Sequence, residues 1–151
     1  MLVAVSGCGG GSGGALQTVR EGATISPQAY LATSAEATGA VRAFAVGLEA
    51  SGSSIASLRA VAPSLVAPLE RAHRSATVIA VAHLSDARIE TQRALVAPGL
   101  SRVVASMDRV FIAARDGNRA AFDRARVDMR AATEALRSAV GGVLRGSGTN
   151  G

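Results

Sequence analysis

Apolar side chains recur every three or four residues through the last third of the chain, and this spacing constrains the fold more than any other feature. It gives a helix one continuous apolar stripe, which is stabilised when it packs against other helices. The pattern predicts a helix over about 119–143. Its predicted core positions are Phe122, Ala125, Met129, Ala132, Leu136, Ala139 and Val143.

The first helix is predicted to begin at Ser26-Pro27, because serine caps helix N-termini and proline is favoured in the first turn. Apolar spacing carries it to about residue 59, with a bend or a break at 51–53, where glycine and serine weaken a helix. Pro63 ends it, since the residue before a proline is driven out of the helical conformation. Its predicted core positions are Ala37, Val41, Phe44 and Leu48.

The second helix is predicted over 64–97, where Pro98-Gly99 would stop it, and the third over about 100–115. The predicted core positions of the second are Leu65, Leu69, Ala72, Ala76 and Ile79, and those of the third are Leu100, Val103, Val104, Met107, Val110, Phe111 and Ala114. In the turn that follows, Gly117 can adopt a left-handed conformation and Asn118 can cap the last helix. Short connections place consecutive helices antiparallel. The predicted fold class is therefore all-α, an antiparallel up-and-down four-helix bundle.

The composition supports one domain with a thin core. Of the 151 residues, 48% are apolar, which is enough to form a core. Only 3% are aromatic and none is tryptophan, whereas alanine is the commonest residue, so closely packed helices are expected. The predicted domain spans 27–144, between a glycine- and serine-rich tether over 1–26 and a disordered tail over 145–151.

The positive charge is carried entirely by sixteen arginines, and eleven acidic residues leave a net charge of +5. On the last helix we expect surface ion pairs at the i,i+4 spacing. A nucleic-acid reader needs an unpaired basic stripe, commonly with stacking aromatics. With one tyrosine and three phenylalanines in the chain, no nucleic-acid partner is expected. The predicted pairs are Arg119–Asp123, Arg124–Asp128 and Arg130–Glu134.

The only cysteine, Cys8, excludes an intramolecular disulfide and a cysteine-based zinc site. It ends the sequence Val5-Ser6-Gly7-Cys8, which resembles a bacterial lipobox. In a lipobox, small side chains let a lipid transferase reach the thiol and a peptidase cut before it. The resemblance implies that Cys8 becomes the N-terminal residue and carries a diacylglyceryl group, whose two acyl chains give a stable anchor. The glycine and serine residues over 9–14 then form the predicted tether.

With its lipobox, glycine tether and helical domain, the chain resembles small bacterial lipoproteins of the actinobacterial type. The resemblance implies a lipid-anchored, non-enzymatic binding or structural module on the extracytoplasmic face of the cell membrane. Its partners would be the membrane, through Cys8, and a protein or a second copy on the helical faces. Residues 1–7 lack the basic start and the length of a signal peptide, so either the start lies upstream or the motif is accidental. The alternative is a soluble cytoplasmic adaptor or regulator without lipidation.

Two pairs have the spacing of metal ligands on a helix, Glu70–His73 and His83–Asp86. Di-metal bundles need two such pairs and two more glutamates around one centre, and these pairs point in different directions. His73 also stands in a sequence similar to a phosphotransfer helix, but without the glycine that gives the phosphoryl group room. We therefore interpret these side chains as structural or solvated, and expect no catalytic residue, metal or cofactor.

The stretch over 76–84 is apolar nearly all round, and we interpret it as a centrally buried helix segment. Around this segment, which includes His83, thin alanine-rich seams are expected to leave a groove for a small apolar ligand or a partner helix. The sequence assigns no residue to that groove.

Overall fold

The computed structural model describes residues 22–146, and it confirms an all-α fold with four helices. The helices are α1 (Pro27–Glu49), α2 (Ile55–Val81), α3 (Ala87–Asp116) and α4 (Arg119–Gly146). Two short strands, β1 (Thr24–Ile25) and β2 (His83–Leu84), pair in parallel. Residues 1–21 and 147–151 lie outside the described part, and so does the predicted lipidation site Cys8.

The helices pack in chain order, with α1 against α2, α2 against α3, and α3 against α4. The imidazole of His73 contacts Asp108, and the guanidinium of Arg59 donates to the carbonyl of Asp116, so α2 and α3 run in opposite directions. Within residues 22–146, the first and last helices scarcely meet each other along their backbones. Among the described residues, the seam between α1 and α4 is therefore open.

The first helix breaks where the serine-rich link was expected to weaken it. The chain leaves α1 after Glu49, and the hydroxyl of Ser51 donates to the carbonyl of Leu48 at 2.6 Å. Ser54 caps α2, since its hydroxyl accepts the backbone N–H of Ser57 at 3.0 Å. The residues over 55–59, predicted as the end of the first helix, thus begin α2.

The prediction that prolines end two of the helices is wrong. Pro63 and Pro68 lie inside α2, and Pro98 lies inside α3. An internal proline removes one helical hydrogen bond and costs about 3 kcal/mol. Each of these helices buries about ten side chains, and this burial outweighs the local preference of a proline.

The predicted second helix over 64–97 is in fact parts of two helices. It is interrupted after Val81 by β2, and α3 begins at Ala87. The carboxylate of Asp86 caps α3 by accepting the backbone N–H groups of Arg88 and Ile89 at 2.9 and 3.1 Å. An acidic cap followed by Glu90 in the first turn was the available sequence signal for this boundary.

The predicted core positions of the first three helices are largely confirmed. Those of α2 and α3 are buried, apart from Phe111, and in α1 only Val41 is half-buried. In α4 the stripe divides, because burial stops after Met129. Beyond it Ala132 and Leu136 are half-buried and Ala139 is exposed. The second half of α4 therefore has an apolar face that the described residues cover only in part.

Two glycines set how closely the helices approach. Gly117 ends α3 in the predicted left-handed conformation, at φ 70°, and the Asn118 side chain accepts the N–H of Ala121 at 3.0 Å to cap α4. Gly99, predicted to stop a helix, lies inside α3 and faces α4. A Cβ at position 99 would lie 2.9 Å from Leu136 Cδ1, so the absence of a side chain permits close packing there.

The two ends of the domain differ slightly from the prediction. Thr24 and Ile25, assigned to the tether, form β1 against β2. The backbone N–H of Gly22 donates to the carbonyl of Val81 at 3.2 Å, which holds the start of the described chain at the end of α2. α4 continues to Gly146, so the first two residues assigned to the tail are helical.

Candidate ligand-binding groove

The open seam between α1 and α4 forms a groove of about 1030 Å³. Ligand sites commonly have volumes of roughly 300–1000 Å³. The two helices form its walls, and the buried side chains of Ile79, Leu100 and Val103 lie at its floor. The groove exists because each wall helix packs on its chain neighbour and neither packs on the other.

Much of the groove surface is apolar. Leu31 on α1 is 64% exposed and Val140 on α4 is 38% exposed, although both face the groove. Val41 and Leu136 are half-buried on the opposite walls. Ala45 adds little bulk to the α1 wall. An elongated apolar ligand would remove these side chains from water, which is the main favourable contribution to such binding.

Four arginines and two glutamates also line the groove. Arg137 donates to Glu134 at 2.9 Å, so these two charges neutralise each other. The predicted ion pair between Arg130 and Glu134 is therefore wrong, because the carboxylate of Glu134 pairs with Arg137. Among residues 22–146, Arg42, Arg126 and Arg130 form no ion pair or side-chain hydrogen bond. Within this range the groove thus carries three unpaired arginines and one unpaired carboxylate, Glu49, and the charges of its lining sum to +2.

The other two predicted surface pairs have different outcomes. Arg119 pairs with Asp123 at 2.9 Å, as predicted. Arg124 and Asp128 form no ion pair within the described part of the chain, and both border a separate shallow depression away from the groove. The arginines of α4 therefore differ in their surroundings, and only some of them face the apolar seam.

The lining also includes polar side chains without a charge. The hydroxyl of Ser34 is inaccessible to solvent and has no hydrogen-bond partner among residues 22–146. Its neighbour Thr38 donates to the carbonyl of Ser34 at 2.9 Å. Gln92 of α3 contributes an amide group. The Gln92 amide and the Thr38 hydroxyl can hydrogen-bond to a ligand, whereas the Ser34 hydroxyl is covered by its neighbours.

The two members of the first histidine pair, Glu70 and His73, have different partners in the structure. His73 Nε2 contacts Asp108 Oδ1 at 2.9 Å across α2 and α3, whereas Glu70 lies 4.0 Å from Arg74. Both partners of the His73–Asp108 contact are substantially exposed. No group of three potential metal ligands occurs within residues 22–146. The contact acts as a surface link between two helices.

The members of the second pair, His83 and Asp86, also have different partners. His83 lies in β2 rather than on a helix, and its Nδ1 is 3.4 Å from Glu90 Oε1, while Asp86 caps α3. Neither residue lines the groove. The groove, which the sequence analysis did not locate, therefore lies away from His83. Of the apolar stretch over 76–84, only Ile79 reaches the groove.

The sequence analysis did not identify the groove arginines as a site. Arg126 and Arg130 are four residues apart, so they share one helix face, and this was the available signal. Arg42 is the only arginine of α1, so its spacing gave no sequence signal. To place Arg42 opposite Arg126 and Arg130, one must know which two helices leave a seam. The spacing of residues within one helix does not give that information.

None of the four helices combines the length and the apolar character needed to cross a membrane, as far as the described residues go. The chain matches no protein-family model, and no curated protein or solved structure is significantly similar to it. The groove and its charges are therefore the features from which a function is inferred.

Proposed function

We propose that this protein is a non-enzymatic binding module which holds an elongated apolar ligand between α1 and α4. The observation that carries the proposal is the open seam between these helices, with its apolar walls and a volume of about 1030 Å³. Its lining offers hydrophobic contact and fixed positive charge. Such groups retain and orient a ligand.

We further propose that the module is attached to the extracytoplasmic face of the cell membrane through a lipid on Cys8. This rests on the sequence Val5-Ser6-Gly7-Cys8 and the glycine-rich segment after it. Gly22 lies beside Val81, so the chain enters the domain at the end where α1 begins. Leu31 and Val140 line the groove at positions near the start of α1 and late in α4.

Binding is tested with the full chain and the neutral fluorescent probe N-phenyl-1-naphthylamine. Ala45, half-buried on the groove wall, is replaced by tryptophan, and the control is Ala35→Trp at an exposed position of α1 outside the lining. Ala45→Trp fills the groove, so we expect probe fluorescence to rise with wild type and Ala35→Trp only. Circular dichroism checks that both variants fold. Absence of probe binding to wild type, or equal binding to all three chains, would overturn the proposal.

The anchor is tested by intact mass spectrometry of the protein from its native cells after separation of membrane and cytosol. The proposal expects a mature chain that starts at Cys8, carries a diacylglyceryl mass and is found in the membrane. An unmodified chain in the cytosol would refute the anchor and favour the soluble adaptor. The probe experiment is independent of this result, because the groove is formed by residues within 22–146 alone.

A further inference from the structure

We propose that the ligand is a single-chain anionic amphiphile, such as a fatty acid. Its acidic head would lie between Arg42, Arg126 and Arg130, and its tail would extend towards Leu31 and Val140. This inference rests on the proposed function, because it names the chemistry of the ligand in the same groove. It goes further in assigning separate charged and apolar parts to the groove.

The three arginines lie at similar depths along the two walls. Arg119, the first residue of α4, donates to the carbonyl of Gly52 at 3.0 Å and so holds the start of α4 beside the link that follows α1. At 1.5 Å per residue, Arg42 lies about 10 Å from the end of α1 at Glu49. On α4, counted from Arg119, Arg126 lies at about 10 Å and Arg130 at about 16 Å. Arg42 and the two arginines of α4 thus line the seam from opposite walls within about one helical turn of one another.

An anion between them would relieve an unfavourable arrangement of charges. Like charges repel, and within residues 22–146 no carboxylate pairs with any of the three. Arg126 also lies with its guanidinium 5.6 Å from the ring centroid of Phe122, which restricts where it can point. Guanidinium groups match the geometry of carboxylates and phosphates, and hydrogen bonds between such ions are stronger than neutral ones.

The apolar part of the groove begins beyond the arginines. From the level of Arg130 to that of Val140, α4 extends about 15 Å. Leu136 and Val140 line this length on α4, and Leu31 lies on the opposing wall. Glu134 stands in the same length, but Arg137 neutralises it at 2.9 Å. A linear acyl chain fits a narrow apolar strip that continues from one charged level.

The charge distribution favours an amphiphile over an acidic partner helix. A helix lying along the seam would place acids at intervals over its whole length, and it would need basic partners at each interval. Here the three unpaired arginines lie within about one helical turn of one another, with Glu49 towards one end of the groove and the Glu134–Arg137 pair towards the other. One concentrated positive region fits one acidic head.

The test measures displacement of N-phenyl-1-naphthylamine from the full chain by dodecanoate and by dodecanol, both below the concentrations at which they aggregate. These compounds share a tail and differ in the charge of the head. We expect dodecanoate to bind at least about tenfold more tightly than dodecanol. Hexanoate, with the same head and a short tail, is expected to displace the probe weakly. Hexanoate as effective as dodecanoate would indicate a simple anion site and overturn the proposal.

Two variants show whether the groove arginines cause the preference. Arg42→Gln combined with Arg130→Gln is expected to lower dodecanoate affinity about tenfold and leave dodecanol affinity unchanged. The matched control is Arg88→Gln combined with Arg124→Gln, two exposed arginines outside the groove lining, and it is expected to change neither affinity. An equal loss of dodecanoate affinity in the control would show that the effect comes from the net charge of the protein. It would contradict the placement of the acidic head at the groove arginines.

The outcomes separate this inference from the proposed function. If wild type binds the probe but binds dodecanoate and dodecanol equally, the groove remains a ligand site and the anionic head is refuted. If the probe does not bind to wild type, both the proposed function and this inference are refuted. If an acidic amphipathic peptide displaces the probe in an Arg130-dependent manner and dodecanoate does not, the occupant is a helix and the inference is wrong.

Discussion

Arg93 holds the carboxylate of Glu90 by two hydrogen bonds, from Nε to Oε2 at 2.9 Å and from Nη2 to Oε1 at 2.6 Å. Its third nitrogen, Nη1, donates to the carbonyl of Ile79 at 2.8 Å, near the end of α2. Glu90 Oε2 in turn accepts the backbone N–H of Leu84 at 3.0 Å. One ion pair therefore joins the end of α2, the strand β2 and the start of α3.

Replacement of Arg93 by methionine is expected to lower the free energy of unfolding by about 2–4 kcal/mol. Arg93 is only 8% exposed, so its loss leaves Glu90 without its partner and a helix-end carbonyl without its donor. Urea denaturation followed by circular dichroism measures the change. The control is Arg88→Met, an exposed arginine one turn earlier with no ion pair among the described residues, and it should stay within about 0.5 kcal/mol. Equal effects of the two variants would disprove the role of the ion pair.

The same pair predicts a loss of stability in acid. Hydrogen bonds from Arg93, and then the backbone N–H of Leu84, lower the pKa of Glu90 from 4.5 to about 2. Because the folded pKa lies below the unfolded one, this contribution is complete above pH 4.5 and declines as the pH falls towards 2. Glu90→Gln should remove this part of the pH dependence, whereas Glu70→Gln, at an exposed position, should leave it. Denaturation series from pH 7 to about pH 3 compare the slopes. A Glu90→Gln slope equal to that of wild type would contradict the prediction.

A matched pair of glycine variants tests the backbone at the end of α3. Gly117→Ala is expected to destabilise by about 1–3 kcal/mol, because alanine disfavours the left-handed conformation. Its Cβ would also lie 2.7 Å from Ile55 Cγ2. Gly39→Ala, inside α1 with no atom within 4 Å of the new Cβ, is expected to stabilise by up to about 1 kcal/mol. Thermal unfolding should move the two midpoints in opposite directions, and a shift of the same sign in both would refute this account.

The number of helices, and most of the side chains buried by α1, α2, α3 and the first half of α4, could be predicted from sequence, because helical periodicity is a local property. Leu65 and Ile79 in α2, and Val103 and Met107 in α3, are all buried at their expected positions. The helix boundaries were harder to predict from sequence. We interpreted the prolines by their local preference, which tertiary burial overrides, and we read the chain through Asp86 as one helix although Asp86 and Glu90 are typical of a helix start.

The groove could not be predicted, since it depends on contacts that two helices do not make. Arg130 illustrates the difficulty. Its spacing to Glu134 is correct for an ion pair, yet Glu134 pairs with Arg137 instead. Leu136 illustrates it again, because its heptad position predicts burial and it is half-exposed at the seam. Both outcomes follow from the relative placement of α1 and α4, which no periodicity within a helix encodes.

Gly99→Ala is expected to affect the groove more than the stability of the fold. The new Cβ would lie 2.9 Å from Leu136 Cδ1, the far end of a side chain that faces the open seam and has room to move. The displaced leucine would occupy part of the groove, while the gain in helix propensity of about 1 kcal/mol would offset the strain. We therefore expect an unfolding free energy within about 1 kcal/mol of wild type and weaker binding of N-phenyl-1-naphthylamine.

A double variant separates this steric effect from a general change in α3. In Gly99→Ala combined with Leu136→Ala, the new methyl group meets no leucine, so probe affinity should equal that of Leu136→Ala alone. The difference between the two backgrounds measures the coupling of positions 99 and 136. If Gly99→Ala weakens probe binding equally in both backgrounds, the two positions are not coupled, and displacement of Leu136 into the groove is refuted as the cause.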